Sequence, residues 1–538
     1  MKKTPILPAI VILLAGVWAQ GCRRATAPIT PGEIETHLRF LSSDLLEGRG
    51  MGSRGIDIAA LYQETVFRQS GLKPFFGSSY LQTFDLVGSQ PDRAATLEVF
   101  GGPGVASRTY SFPDDFVVHS YRRDCPEGVE GELVYAGYLI QAPERQWDDI
   151  KGADLRGKVI LCEVNEPGNT PGGIFDGEEM NYYGRWTYKF EKAAELGATG
   201  VLIIHNTKGA AYGWEVVQNS WSGESFFLPD APQRLFFQGW VSGPVGDAIL
   251  AAAGQSRAAL LGQAETAGFR PVDLGLKARV RQKVSFRTVP GTNVAGVAGP
   301  VKPKPGTKTI FVSAHYDHFG RDPRLAGDQI YNGAVDNCAA SSTMLALARY
   351  YGQKAKRLKV NIVFVGVTGE EQLFLGSSYF VRHLDTPPDL ILADLNLEMT
   401  NVWGETREVY GIGAKQSDLD DYCRRAAERL GLDYIAEREG NLGYAFRSDQ
   451  MSFLHGGIPA VWLHEGITSR GQDPDWIKVK TEDYKKNKYH KVTDEIQPDW
   501  DLRGAVQIAR WAQEIITLLS EAKTNPQFKP TSSFHRAR

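Results

Sequence analysis

Thr309-Ile-Phe-Val-Ser-Ala-His-Tyr-Asp-His318 decides the fold of this chain. Its first half is an apolar β run, and its second half gathers two histidines and an aspartate where that strand should end. The pattern recurs downstream. Val360-Asn-Ile-Val-Phe-Val-Gly-Val367 is a strongly apolar strand followed by Gly369-Glu-Glu371, and Leu390-Ile-Leu-Ala-Asp-Leu-Asn-Leu397 is followed by Glu398. A further strand falls at 458–463, and helical periods fill 339–351, 377–383, 417–430 and 504–519. Such alternation predicts an α/β fold with a mostly parallel mixed sheet, flanked by helices on both faces. Open α/β sheets bind ligands beyond the carboxyl ends of their strands, so the polar clusters at those ends should converge in one crevice.

Outward from this core the pattern changes. Residues 128–270 read as a separate, smaller αβ unit. Its strands are Gly131-Glu-Leu-Val-Tyr-Ala-Gly137, Lys158-Val-Ile-Leu-Cys-Glu-Val164 and Gly200-Val-Leu-Ile-Ile204, with an amphipathic helix over 186–196. Toward the N-terminus, two helical stretches within 33–71 enclose a Gly/Arg-rich loop at 48–55, and 81–118 turns β-like. The stretch after Lys523 is polar and expected to be loose.

The 538 residues are 42% apolar and 23% charged, values of a folded, soluble protein of two or three domains. A formal net charge of −3 gives no reason to expect nucleic acid as a partner. The one dense basic run, Lys478 to Lys488, is interleaved with acids and reads as a solvated face. Lys2 and Lys3 precede an apolar run over 6–19 that ends in Ala19-Gln20-Gly21-Cys22. This describes a secretory signal, and the run is shorter than the roughly 20 residues that span a bilayer. Cys22 resembles the lipidated residue of a bacterial lipoprotein, which would supply a membrane tether. Cys125, Cys162, Cys338 and Cys423 show no zinc-type pairing and are expected mostly as buried free thiols.

The chemistry rests on His315, Asp336, Glu371, Glu398 and His490. Two imidazoles and three carboxylates form a nitrogen and oxygen set suited to zinc. Five ligands serve two metals if one carboxylate bridges, and Asp336, in the tight turn Ala334-Val-Asp-Asn-Cys338, is the choice for the bridge. Asp317, two residues beyond His315, is placed to fix that ring's tautomer. Glu370 is left over as a free carboxylate suited to act as general base, a role worth roughly 10²–10⁴-fold in rate. Taken singly these signals are weak: a Glu-Glu pair ordinarily opens a solvated helix, and Tyr489-His490 alone carries nothing. Their placement at successive strand ends is what points to a metal. Two other hydrolase patterns fail. His464-Glu465 starts a His-Glu-x-x-His motif that Thr468 breaks, and no Gly-x-Ser-x-Gly elbow occurs.

Ser313-Ala-His-Tyr-Asp-His318, Ala334-Val-Asp-Asn337, Gly369-Glu-Glu371, Asn396-Leu-Glu-Met399 and Tyr489-His-Lys-Val-Thr-Asp494 resemble the successive motifs of the M28 family of zinc peptidases. That family includes aminopeptidases and glutamate carboxypeptidases. The stretch His37-Leu-Arg-Phe-Leu-Ser-Ser-Asp-Leu-Leu-Glu-Gly48 resembles the start of its larger exported members. Trp147-Asp-Asp149 and Gly157-Lys-Val159 resemble their protease-associated insertion.

The resemblance implies a zinc exopeptidase fold with two Zn2+ ions. One would lie on His315, Asp336 and Glu371, the other on Asp336, Glu398 and His490, with Glu370 as base. Tyr444, in Gly443-Tyr-Ala-Phe-Arg-Ser-Asp449, would match a tyrosine that steadies the tetrahedral intermediate. Three positions depart from the family: Glu398 where Asp is common, Gln450 where many members carry His, and Cys338 where a small residue is usual.

The implied organisation is a signal peptide (1–21), a tether (22–32), the first part of the peptidase domain (33–127), the insertion (128–270), the remaining peptidase domain (271–523) and the tail (524–538). The implied function is an exported, periplasmic or membrane-anchored metallopeptidase, foremost an aminopeptidase, cleaving terminal bonds of peptide substrates by attack of hydroxide carried on the metal. Three alternatives stand beside it: a single-zinc glutaminyl cyclase, a receptor-like binding protein, and a carboxypeptidase of the same family. The last would need cationic anchors, and Arg447 is the candidate unless it bonds to backbone or to Asp449.

Overall fold

The computed structural model describes residues 26–535 apart from 103, 105, 169–171, 176, 231–234, 301–303 and 472. The expected signal peptide and Cys22 lie outside the described residues. At the centre, Thr309–His315 is buried at every position. It pairs in parallel with Asn361–Val367 on one side and Ile391–Asn396 on the other, and Ala460–Glu465 follows in parallel. Consecutive side chains leave a strand on opposite faces. Ile310, Val312 and Ala314 accordingly join a core with the helices Pro31–Leu41, Arg54–Gln69, Ala340–Lys354 and Arg503–Ser520. Phe311 points the other way, onto Phe380 at 5.4 Å and Phe453 at 5.7 Å between ring centres.

Parallel pairing is thus concentrated in the middle of the sheet. Val284–Ala298, Leu81–Pro91 and Ser225–Phe227 extend it antiparallel on one side, and Glu408–Ile412 does so on the other. Val284–Ala298 alternates buried and exposed residues over much of its length. One wet face is what an antiparallel flank tolerates and a buried parallel strand does not.

A second sheet forms the other unit. Gly128–Tyr135, Val159–Glu163, Gly200–Ile204 and Phe237–Val241 run parallel, with Val272–Arg281, Thr96–Phe100, Arg108–Ser111 and Phe116–His119 added antiparallel. Its strands come from Thr96 to Arg281, so it takes in more chain on both sides than 128–270. The β-like region 81–118 divides between the two sheets. Helix Trp186–Glu195 covers the second sheet with Tyr188, Phe190 and Ala193 buried.

The stretch after Lys523 is not loose as far as Phe534. Phe534 is 5% exposed and its ring lies 5.5 Å from Tyr182 and 6.1 Å from Phe446. Apolar anchors in an otherwise polar run account for the difference. In the described part of the expected tether, the Ala27 carbonyl accepts a bond from Arg349 at 2.8 Å. The four described cysteines are unpaired, three of them buried. Among the described residues no helix is long and apolar enough to cross a membrane.

His119 makes the second unit sensitive to acid. It is 1% exposed and packs against Tyr121 and Trp221 at 5.9 and 5.4 Å. Burial lowers its pKa to about 4. The folded protein therefore binds this proton less tightly than the unfolded chain, whose histidine titrates near 6.5. The stability contributed is complete above about pH 6.5 and is lost as pH falls toward 4, by up to about 3 kcal/mol. In thermal melts from pH 7 to 4, wild type should lose this increment and His119→Phe should not.

Candidate metal centre

The expected ligands meet at the carboxyl ends of the parallel strands. His315 is the last residue of its strand and fully buried. Its Nε2 lies 3.3 Å from an oxygen of Asp336 and 3.3 Å from one of Glu398. His490, with a side chain 36% exposed, places Nε2 3.2 Å from the other Asp336 oxygen and 3.5 Å from Glu371. The two oxygens of Asp336 thus face different histidines, as a bridging carboxylate requires. The grouping differs from the one the family resemblance implied: His315 goes with Glu398, and His490 with Glu371. His315 sits on the middle strand, between those that lead to Glu371 and Glu398, so side-chain direction chooses its partner.

Two triads of donor atoms have the spacing of a metal site, His315 with Asp336 and Glu398, and His318 with Asp336 and Glu371. His318 was not among the expected ligands. Its Nδ1 is 2.6 Å from Glu371, and burial lowers its pKa to about 4. The only sequence signal for it was its place in the His-x-Asp-His cluster.

Several groups hold Asp336 in position. Gly333 has φ 56°, and a Cβ there would lie 2.2 Å from the Asp336 carbonyl oxygen, so no side chain fits. The Asp494 carboxylate accepts bonds from the Val335 and Asp336 N–H groups at 3.0 and 3.1 Å, and from the Tyr484 hydroxyl at 3.1 Å. Arg49, 1% exposed, donates to the carbonyls of Tyr316 and Leu41 at 2.8 Å and of Asn332 at 2.7 Å. It thereby ties the His315 loop to the loop that leads into Asp336. Asp317 lies 3.6 Å from His315 Nδ1 and accepts the Glu370 and Glu371 N–H groups at 3.2 and 3.4 Å. Two residues at the site adopt left-handed backbone, Met399 beside Glu398 at φ 41° and His490 at φ 57°. Such conformations collect where function over-determines them.

The electrostatics ask for a cation. Burial pushes Glu371 up to about 8, helped by the nearby Asp336 charge. Burial also raises Glu370 well above the carboxylate range, with Glu398 and Glu371 adding to it. Burial would raise Asp336 too, but the bonds from His315 and His490 hold it well below its ordinary value. Buried carboxylates this close repel one another unless positive charge stands among them. The spacing fits as well. Donors about 2.0–2.2 Å from a tetrahedral zinc stand roughly 3.3–3.5 Å apart, and the gaps here run from 3.2 to 3.5 Å.

Glu370 belongs to neither triad, yet lies 4.0 Å from His315 Nε2. Tyr444 is one ring removed: it meets Trp462 at 6.2 Å, and the Trp462 indole donates to the Glu398 carbonyl at 2.9 Å. The extra methylene of Glu398 is accommodated by Ser448, whose hydroxyl donates to the carboxylate at 2.8 Å. Gln450 is buried and bonds to Asn396 and to the Tyr444 and Ala445 carbonyls, so it packs rather than facing a substrate. The Cys338 thiol is buried and pushed up to about 11 by that burial, which keeps it unreactive. Among the described residues, Arg447 Nε and Nη2 have no hydrogen-bond partner, and Asp449 Oδ1 accepts a bond from Ser377 at 2.6 Å. A cavity of about 490 Å³ opens on Glu371 and His318. It shares Phe226 and Gln372 with an apolar cavity of about 510 Å³ between the two units.

Fold and donor set together define a candidate metal centre built at the carboxyl end of an α/β sheet. Residues 293–513 match the model of peptidase family M28, and this match supports a metallopeptidase. An aminopeptidase from Aneurinibacillus sp. strain AM-1 is 19% identical, with 91% of this chain and 94% of that one covered and a TM-score of 0.51. The zinc aminopeptidase BSAP of Bacillus subtilis is 18% identical over 96% and 100%, with a TM-score of 0.43. A peptidase M28 precursor from Shewanella amazonensis is 13% identical over 93% and 98%, with a TM-score of 0.39. No curated protein matches the chain.

Replacing Arg49 tests how far one buried guanidinium supports the site. Arg49→Met leaves four carbonyls, those of Leu41, Tyr316, Asn332 and Gly333, without their donor and should lower stability by about 3 kcal/mol, read as a shift of the urea midpoint.

Proposed function

We propose that the chain is an exported di-zinc aminopeptidase that removes N-terminal residues from peptides. The observation that carries this reading is the bridging geometry of Asp336, whose two oxygens serve two histidines 3.3 and 3.2 Å away. Zinc is supported by the donor chemistry and the spacing. One ion would be held by His315, Asp336 and Glu398, the other by Asp336, Glu371 and His490, with His318 bonded to Glu371 behind it. Bound there, the ions would supply Lewis acidity toward a scissile carbonyl and make an attacking water more acidic.

The chain's own groups supply the rest. Glu370, unclaimed by either triad and raised in pKa, is suited to take a proton from the attacking water and return it to the leaving amine. Asp317 orients the His315 ring and, through the two N–H groups it accepts, the turn bearing Glu370 and Glu371. Tyr444, placed beside Trp462, would meet the substrate at the edge of the site. Surplus carboxylate charge suits the α-ammonium group of a peptide N-terminus. Export rests on the reading of residues 1–21, and Cys22 would anchor the mature chain to a membrane. The second unit, read as a protease-associated insertion, borders the apolar cavity and would restrict access to the site.

Two measurements test the reading. Elemental analysis should give two zinc ions per chain, one after Glu398→Gln or His490→Gln, and none after Asp336→Asn. Glu370→Gln should keep both ions yet lose roughly 10²–10⁴-fold in kcat on leucine 4-nitroanilide. Retained turnover in that variant would remove Glu370 from its role. Cleavage confined to N-blocked peptides would overturn the aminopeptidase assignment.

A further inference from the structure

The apolar cavity between the two units is walled by aromatic rings and adjoins the metal centre. It measures about 510 Å³, within the range of small-ligand sites. Tyr121, Trp186 and Phe190 line it from the second unit, and Phe226, Phe374 and Met451 from the side of the first sheet. Trp186 and Phe374 are only half-buried, and apolar surface left in water is unfavourable. Trp186 and Phe190 lie 5.5 Å from each other and each 5.5 Å from Trp221, which fixes the aromatic wall. Two charged groups in the lining are engaged already: Arg382 pairs with Asp230 at 3.2 Å, and Glu191 accepts a bond from the Tyr182 hydroxyl. Such a cavity suits a bulky uncharged side chain, an aromatic one above all.

Its position supplies the occupant. Gln372 directly follows Glu371, and with Phe226 it lines both this cavity and the one that opens on Glu371 and His318. An aminopeptidase holds the first residue of its substrate at the metals, so the rest of the peptide extends away from them. Phe226 lies along that course in an edge strand. Ser225–Phe227 ends the first sheet, paired with Leu81–Pro91 on one side and, among the described residues, with no strand on the other. The Phe226 N–H turns from that partner to the Gln372 side-chain oxygen at 3.2 Å. An extended peptide adds to such an edge through its main chain and places alternate side chains in pockets beside it.

We infer that this cavity is a subsite for a bulky apolar side chain of the peptide substrate, downstream of the scissile bond, with Ser225–Phe227 guiding the main chain. The inference rests on the peptidase reading of the metal centre and adds a substrate preference to it.

Calorimetric titration of the zinc-loaded Glu370→Gln chain tests this without turnover. The probes are leucyl-pentaglycine amide and five forms of it in which phenylalanine replaces each glycine in turn. The N-terminal leucine is constant, so differences report the residues beyond it. Phenylalanine at one position should tighten binding about tenfold or more over the all-glycine peptide. At the adjacent positions it should not, since neighbouring side chains of an extended peptide point to opposite sides. Adding Ala194→Trp, which fills the cavity from helix Trp186–Glu195, should bring the ratio toward one. Trp186→Ala, which removes part of the wall, should do the same, and a thermal melt checks that each variant is folded. Ratios near one at all five positions overturn the subsite, as does a ratio that survives in either folded variant. Hydrolysis of leucine 4-nitroanilide by the wild-type chain is measured separately. Its absence would count against the peptidase reading, while the binding ratios still decide the subsite.

Discussion

Asp336 carries two obligations at once, and much of the molecule is arranged around meeting both. One oxygen faces a histidine at a strand end, the other a histidine near the C-terminus of the domain, each just over 3 Å away. A carboxylate can serve both only if its backbone is fixed. Gly333 removes the side chain that would collide with it, Asp494 holds its N–H from one side, and Arg49 binds the loops on the other. These supports cost buried charge, and Glu370, Glu371 and Glu398 add more of the same sign. Such a site is unfavourable as bare protein and favourable around cations, so ion binding and local order are coupled.

The centre of the fold was legible because buried parallel strands announce themselves. The three apolar runs that end in His315, Glu370-Glu371 and Glu398 became neighbouring strands, with ends within one or two residues of those read from sequence. The flanks were harder for a physical reason. Val284–Ala298 alternates polar and apolar residues, and Glu408–Ile412 is short, so neither has a local signature that says which sheet it joins. Membership is settled by partners far away in sequence. The second unit was accordingly drawn too narrow, and Ser225–Phe227, lying within it in sequence, pairs with Leu81–Pro91 of the first sheet.

At the site, residue types were legible and pairings were not. Chemistry nominates His315, Asp336, Glu371, Glu398 and His490, because only certain side chains hold metal. Distances among them depend on rotamers above a shared strand end, which spacing does not encode. His318 went unnoticed for the same reason: it lies three residues past the strand that ends in His315, and only the fold turns its ring onto Glu371.

The tail joins two segments that lie far apart in sequence. Phe534 lies 5.5 Å from Tyr182 and 6.1 Å from Phe446, and those two rings are themselves 6.1 Å apart. Phe446 is the residue before Arg447. Tyr182 shares a turn with Arg185, whose N–H bonds to the Tyr182 carbonyl at 3.1 Å. The aromatic cluster therefore joins the two segments that carry the guanidiniums, a residue or a turn away from each. Segments so far apart in sequence would separate if nothing held them. Apolar burial nearby opposes that separation and is indifferent to charge and salt. The stretch expected to be loose is thus part of what holds the two units together.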